Sequence, residues 1–95
     1  MLTLDELDVL QERIRQAPLA LIAARIRRAR RESKLRTLDH LAETIGSSRQ
    51  HLIKLERGIH RPRAEMLLKI AVATGQTVDY FLDEEAVDNP FQEVA

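Results

Sequence analysis

The sequence contains no cysteine and no tryptophan. Without cysteine, disulfide bonds, thiolate zinc sites and a cysteine nucleophile are excluded, so the fold depends on its own apolar core. Aromatic residues make up only 3% of the chain, and there are three glycines and three prolines. This composition favours helices that pack through Leu, Ile and Ala over a β-sandwich or barrel, which uses more aromatic and turn-forming residues. We therefore expect an all-α fold.

Long hydrophobic runs are also missing. The longest apolar stretch is residues 18–24, far shorter than the roughly 20 residues that a membrane-spanning helix needs. The first residues are acidic, unlike the basic start of a secretory signal peptide. A chain of 95 residues is long enough for one domain with a core but not for two. These features predict a single-domain cytoplasmic protein without membrane association.

Positive charge is concentrated in the middle of the chain, although the formal net charge is zero. Residues 19–63 hold twelve Lys or Arg against four Asp or Glu, a net charge of +8, whereas residues 1–18 carry −2 and residues 64–95 carry −6. A basic segment of this kind attracts polyanions such as nucleic acid. The arginine run at residues 25–31 has two interpretations, a solvent-exposed helix face or a set of phosphate contacts, and both remain open.

Hydrophobic periodicity and capping residues predict six helices. Thr3 and Glu6 fit a capping box at the first helix, which Pro18 separates from the second. Thr37 is suited to cap the third helix, and Gly46 to end it. The predicted helices cover residues 3–17, 18–33, 38–45, 49–57, 64–74 and 78–82. Residues 83–95 are acidic and interrupted by proline, so we expect a flexible tail there.

The third and fourth predicted helices have the spacing of a helix-turn-helix motif. Such a motif needs a small residue where the two helix axes approach, a residue without Cβ strain in the turn, and apolar residues on both inner faces. Ala42, Gly46 and Leu52 meet these three needs in that order. The remaining inward positions are filled by Leu41, Ile45 and Leu55.

This segment resembles the Xre family of regulators, which includes the phage Cro and lambda-type repressor DNA-binding domains. The resemblance covers about residues 21–82. The motifs that carry it are Ile26-Arg27 with Arg30, the run from Thr37 to Glu43, the run from Ile45 to Arg49, the run from Leu55 to Gly58, Arg61-Pro62, and the run from Leu67 to Ala71. It implies a helix-turn-helix DNA-binding domain at residues 19–82. The amphipathic helix predicted at residues 1–18 and the acidic tail at residues 83–95 lie outside the resemblance.

The resemblance implies that the helix after Gly46 is a recognition helix that lies in the major groove of double-stranded DNA. Side chains of this helix would read base edges, while helix starts and the loop after it would position the DNA backbone. The implied DNA-binding residues are Thr37, Ser48, Arg49, Gln50, His51, Lys54, Arg61 and Arg63. The implied structural residues of the motif are Ala42, Gly46, Leu52 and Glu56.

The resemblance also implies an ion pair between Glu56 and an arginine of the second helix. The loop before Thr37 is one residue longer than is usual in the family, so Arg30 and Arg31 are both candidates for that arginine. Two other positions depart from the family pattern. Leu38 stands where many members have a glutamine that contacts phosphate, and Ser47 occupies a position that is usually apolar.

Catalysis and cofactor binding are not expected. The chain has no glycine-rich phosphate loop and no Ser-His-Asp arrangement in a suitable context. His40, His51 and His60 are widely spaced and have no cysteine partners, so we expect no metal site. The function that we infer is sequence-specific transcriptional regulation, as a repressor that binds a palindromic operator as a homodimer. The alternative is an antitoxin that holds a toxin and autoregulates its operon.

A homodimer requires a surface for self-association, and the sequence offers three candidates. They are the stripe of Leu4, Leu7, Leu10 and Ile14, the end of the domain at residues 78–82, and the tail residues Val87, Phe91 and Val94. We favour the N-terminal stripe, because the family domain has its own core and does not need that helix. The other interpretation of the stripe is that it packs on its own domain.

Overall fold

The structure is a computed structural model that describes residues 2–86, and this part of the chain forms six helices and no strand. The helices are α1 (Leu4–Gln16), α2 (Leu19–Glu32), α3 (Leu38–Thr44), α4 (Arg49–Glu56), α5 (Ala64–Thr74) and α6 (Val78–Leu82). Their ends lie within one residue of the predicted ones. The predicted all-α fold is confirmed. Among residues 2–86, no helix is long and apolar enough to cross a membrane.

Side-chain caps fix where several helices begin. At α1 the Thr3 hydroxyl accepts a hydrogen bond from the Glu6 N–H at 3.1 Å, and the Glu6 carboxylate accepts one from the Thr3 N–H at 2.8 Å. This is the predicted capping box. The hydroxyls of Thr37 and Ser48 cap α3 and α4 in the same way, by accepting from the N–H three residues further on. Each cap stabilises its helix start by about 1 kcal/mol.

The turn between α3 and α4 depends on Gly46. This residue has a φ of +69°, in the left-handed region that favours glycine. The Ser47 N–H donates to the Ala42 carbonyl at 2.8 Å, and the Gly46 N–H donates to the Glu43 carbonyl at 3.2 Å. These two hydrogen bonds form a Schellman motif, which ends α3 and turns the chain towards α4. The buried Ala42 has only a methyl group at this point, so α3 and α4 can pack closely.

All six helices contribute to one core. Its largest fully buried side chains are Phe81, Ile14, Ile22, Ile26, Leu41, Leu52, Leu55, Leu67 and Ile70. α1 contacts α5, while α2 contacts α4, α5 and α6. The N-terminal stripe is therefore divided: Leu10 and Ile14 are buried in the core, whereas Leu4 is 80% exposed. For Leu10 and Ile14, packing on their own domain is the interpretation that holds.

Arg25 fits neither interpretation of the arginine run at residues 25–31, because it is neither solvent-exposed nor available for a phosphate contact. Its side chain is buried, and its guanidinium donates hydrogen bonds to the carbonyls of Tyr80 at 2.7 Å, Asp83 at 3.0 Å and Glu84 at 2.9 Å. These carbonyls lie at the end of α6, where a helix leaves backbone acceptors without intrahelical partners. Arg25 therefore fastens α6, and the turn that follows it, to α2.

The first residues of the predicted tail form a turn. After α6 the Ala86 N–H donates to the Asp83 carbonyl at 3.1 Å, which closes a turn. Arg25 contacts this turn through the carbonyls of Asp83 and Glu84, and the flexibility of the tail stays a prediction. Val87, Phe91 and Val94, which the sequence offers as a contact between copies, lie outside the described residues.

Candidate nucleic-acid interface

α4 has an apolar inner face and a polar outer face. Leu52 and Leu55 are fully buried, while Arg49, Gln50 and Lys54 are exposed. Gln50 and Lys54 are four residues apart, so they lie one above the other on the same side of the helix. Within residues 2–86 neither side chain makes a hydrogen bond or an ion pair. The outer face of α4 therefore presents polar groups whose hydrogen-bonding capacity the fold does not use.

Arg49 has a weak partner on α3. Its guanidinium lies 3.5 Å from the Asp39 carboxylate, and the two side chains are 54% and 72% exposed. An ion pair this exposed contributes between about 0 and 1 kcal/mol, because water screens it. Arg49 can therefore exchange Asp39 for another acceptor at little cost. Asp39 and Arg49 lie near the starts of α3 and α4, so this exchange would take place where the two helices begin.

Ser48 starts α4 and is itself exposed. Its hydroxyl accepts from the His51 N–H at 3.0 Å, so one of the first backbone donors of the helix is satisfied inside the protein. The other N–H groups of the first turn have no intrahelical acceptor, and together with the helix dipole they favour an anion. Thr37 at α3 is also exposed, and its hydroxyl accepts from the His40 N–H at 3.1 Å.

Arg61 has a structural partner that the sequence did not reveal. Its guanidinium donates to the carbonyl of Ile14 at 2.7 Å and to that of Ala17 at 2.6 Å, at the end of α1. Ala17 precedes Pro18, which has no N–H to offer, so this helix end lacks backbone donors. Arg63 is exposed and precedes α5 without a side-chain cap. The phosphate contacts of Arg61 and Arg63 stay predictions.

Arg30, and not Arg31, is the partner of Glu56. The Arg30 guanidinium donates to both carboxylate oxygens of Glu56, at 2.6 Å and 2.9 Å, and also to the Arg36 carbonyl. The two side chains are only 11% and 7% exposed, whereas Arg31 lies on the surface. The hydrogen bonds to Glu56 raise the pKa of Arg30 above its ordinary value, against the effect of burial. The pair joins α2 to the last residue of α4.

The histidines do not form a ligand cluster. The rings of His51 and His60 lie side by side, with centroids 6.3 Å apart, and His40 is exposed on α3. No group of three or more His, Asp or Glu side chains able to hold a metal ion occurs in the described part of the chain. His51 is half-buried beside the loop that follows α4, so it lies at the margin of the outer face of that helix.

A tight turn between two capped helices, the second with an unused polar face, defines a helix-turn-helix DNA-binding domain. A protein-family model described as "Helix-turn-helix" matches residues 26–81. The chain belongs to the Xre and lambda-repressor-like helix-turn-helix family, a family of DNA-binding transcription regulators. Searches of curated proteins and of solved structures gave no match. α1 and the first part of α2 lie before the matched residues.

Proposed function

We propose that this regulator is a repressor that reads a palindromic operator with α4, as a homodimer in the cytoplasm. The observation that carries the proposal is the exposed outer face of α4, where Gln50 and Lys54 have no partner among residues 2–86. A repressor of this kind acts by occupying a promoter, so it needs affinity for one sequence but no catalytic group.

The side chains on α4 match the hydrogen-bonding patterns of base edges in the major groove. Gln50 can pair with N6 and N7 of adenine, while Arg49 and Lys54 can donate to O6 and N7 of guanine. The N–H groups that open α4 would meet a phosphate, as would Arg63. Arg61 would add a phosphate contact if its guanidinium keeps a free N–H while it holds α1. These backbone contacts would position α4 without selecting a sequence.

Two copies are needed because one recognition helix reads only a few base pairs. A second copy about 34 Å away along the DNA would double the site. Exposed apolar side chains on α1 and α5 support self-association: Leu4 is 80% exposed, Val9 62% and Val72 81%. Near Val9, a hollow of 390 Å³ is lined partly by Leu68 and Val78 of α5 and α6. We propose that α1 and α5 supply the contact between copies.

The same apolar hollow supports the second candidate function, that of an antitoxin. An antitoxin of this family would bind its operator through α4 and hold a toxin on another surface. Asp5, Glu6 and Arg13 also line the hollow, so it combines apolar side chains with charges of both signs. This combination is typical of protein interfaces, which have a polar rim. The two functions share the DNA contact and differ in what covers this surface.

Replacing Gln50 tests whether α4 reads bases. We expect Gln50→Ala to keep the fold, because the side chain is exposed, and to weaken binding to a preferred sequence by about 1 to 3 kcal/mol. The wild-type protein is first used to select its preferred sequence from random-sequence DNA. A double-stranded oligonucleotide with that sequence is the selected duplex. Fluorescence anisotropy on the selected duplex and on a scrambled duplex gives the measurement. The loss should be confined to the selected duplex.

Gln76→Ala is the matched control, since Gln76 lies in the turn between α5 and α6, outside the helix-turn-helix motif. It should bind both duplexes as the wild type does. If Gln50→Ala and Gln76→Ala bind the selected duplex equally well, Gln50 is not a base contact. A parallel loss on the scrambled duplex would instead make Gln50 a contact to the DNA backbone.

A further inference from the structure

A basic trough runs along α2 beside the end of α4. It is lined by Arg27, Arg28 and Arg31 from α2 and by Arg57, the residue that follows α4. Its uncharged lining residues are alanines of α2: Ala20, Ala23 and Ala24. We call this surface the arginine trough. It encloses 510 Å³.

The arginine trough continues towards the start of α4. A second hollow of 400 Å³ shares Arg27 and Arg57 with the trough and is lined further along by Ile53 and Arg49. Arg49 is the first residue of α4 and one of the predicted base contacts. The surface from Arg49 to Arg31 is therefore continuous, and it extends the outer face of α4 sideways onto α2.

The arginine trough carries an excess of positive charge that the fold leaves uncompensated. Glu56 and Glu32 also line it, but Glu56 is bound on both oxygens by Arg30, and Glu32 is paired with Arg28 at 3.2 Å. Arg27, Arg31 and Arg57 make no side-chain hydrogen bond or ion pair with any residue from 2 to 86. Like charges held in one concave surface repel each other and focus a positive potential there. Such an arrangement favours a polyanion as ligand.

We propose that the arginine trough binds phosphates of the DNA strand that borders the groove entered by α4. This inference rests on the proposed function, because it assigns the flank of α2 to the same DNA. An acidic protein segment is the competing ligand, and the lining argues against it. Protein interfaces centre on aromatic and large apolar residues, whereas the uncharged residues that line the trough are all alanine. Arginine side chains also suit phosphate, since their planar groups donate two parallel hydrogen bonds.

The test removes the three unpaired charges together. The trough variant is Arg27→Gln, Arg31→Gln and Arg57→Gln. The control variant is Arg15→Gln, Lys34→Gln and Lys69→Gln, three exposed positions that line neither the trough nor the apolar hollow beside Val9. Both variants lose the same charge, so a long-range effect of net charge is equal in the two. Affinity for the selected and the scrambled duplex is measured across a series of salt concentrations. Circular dichroism verifies that both variants fold.

Each phosphate contact contributes about 0.9 to the slope of log K against log salt, so the trough variant should lose roughly 2 to 3 from that slope on both duplexes. The control variant should keep the slope of the wild type. The trough proposal is overturned if the two variants have equal slopes, because the arginines then act through net charge alone or serve an acidic protein. If the wild type binds the two duplexes equally well, the proposed sequence-specific function fails. The trough proposal is still tested in that case, because the salt slopes of the two variants are compared on the scrambled duplex.

Discussion

Glu56→Ala is expected to destabilise the fold by about 3 to 5 kcal/mol, because it leaves the Arg30 guanidinium buried without its carboxylate. Only 11% of the Arg30 side chain is exposed, so water replaces the lost partner poorly. The Arg36 carbonyl remains as an acceptor but does not neutralise the charge. Urea unfolding monitored by circular dichroism measures the free energy of unfolding. α2 and the end of α4 are the elements expected to separate first.

Two control variants isolate the buried charge as the cause. Asp79→Ala removes the carboxylate of an exposed ion pair with Arg13. The side chain of Arg13 is 45% exposed and that of Asp79 61%. This change should therefore lower the free energy of unfolding by less than about 1 kcal/mol. The double variant Arg30→Met with Glu56→Leu removes both charges and should recover most of the stability that Glu56→Ala loses. A loss for Glu56→Ala as small as that for Asp79→Ala would contradict the account of a buried pair.

Arg25→Met should be the second strongly destabilising change, with a cost of at least about 2 kcal/mol. Methionine fills much of the same space but donates no hydrogen bonds, so the carbonyls of Tyr80, Asp83 and Glu84 lose their charged partner. Urea unfolding gives the total cost. Hydrogen exchange should show the greatest loss of protection in α6, since Arg25 fastens the end of that helix.

Arg31→Met is the matched control for this experiment. Arg31 lies on the same helix, is exposed, and has no side-chain partner among residues 2–86. Its replacement should change the free energy of unfolding by no more than about 0.5 kcal/mol. If Arg25→Met has an effect no larger than Arg31→Met, the hydrogen bonds to the end of α6 do not stabilise the fold.

The helices could be predicted from the sequence because the signals that start and end them are local. Thr3 with Glu6, Ser48, and the glycine after α3 each act within a few residues. The outer face of α4 was predictable for the same reason, since a helix of known register assigns each residue to one side. Gln50 and Lys54 are exposed as this register requires.

The long-range partners of the arginines could not be predicted from local signals. Arg25 donates to carbonyls 55 to 59 residues away, and Arg61 to carbonyls 47 and 44 residues away. Their acceptors are backbone carbonyl oxygens at helix ends. Every residue has such an oxygen, so no residue type in the sequence identifies the acceptor. The choice between Arg30 and Arg31 depended on how α2 is rotated against α4, and neighbouring residues differ by about 100° in that rotation. Which arginine side chains of α2 are buried and which are exposed is therefore decided by how the helix packs against its neighbours.

Equilibrium binding of the wild-type protein tests the central claim most directly. At about 0.15 M salt, the selected duplex should be bound about a thousandfold or more tightly than the scrambled duplex. Sedimentation of the complex should give two chains per duplex, as two copies of α4 on one site require. A difference of less than about tenfold between the duplexes would contradict sequence-specific recognition by α4, and a single chain per selected duplex would contradict the homodimer.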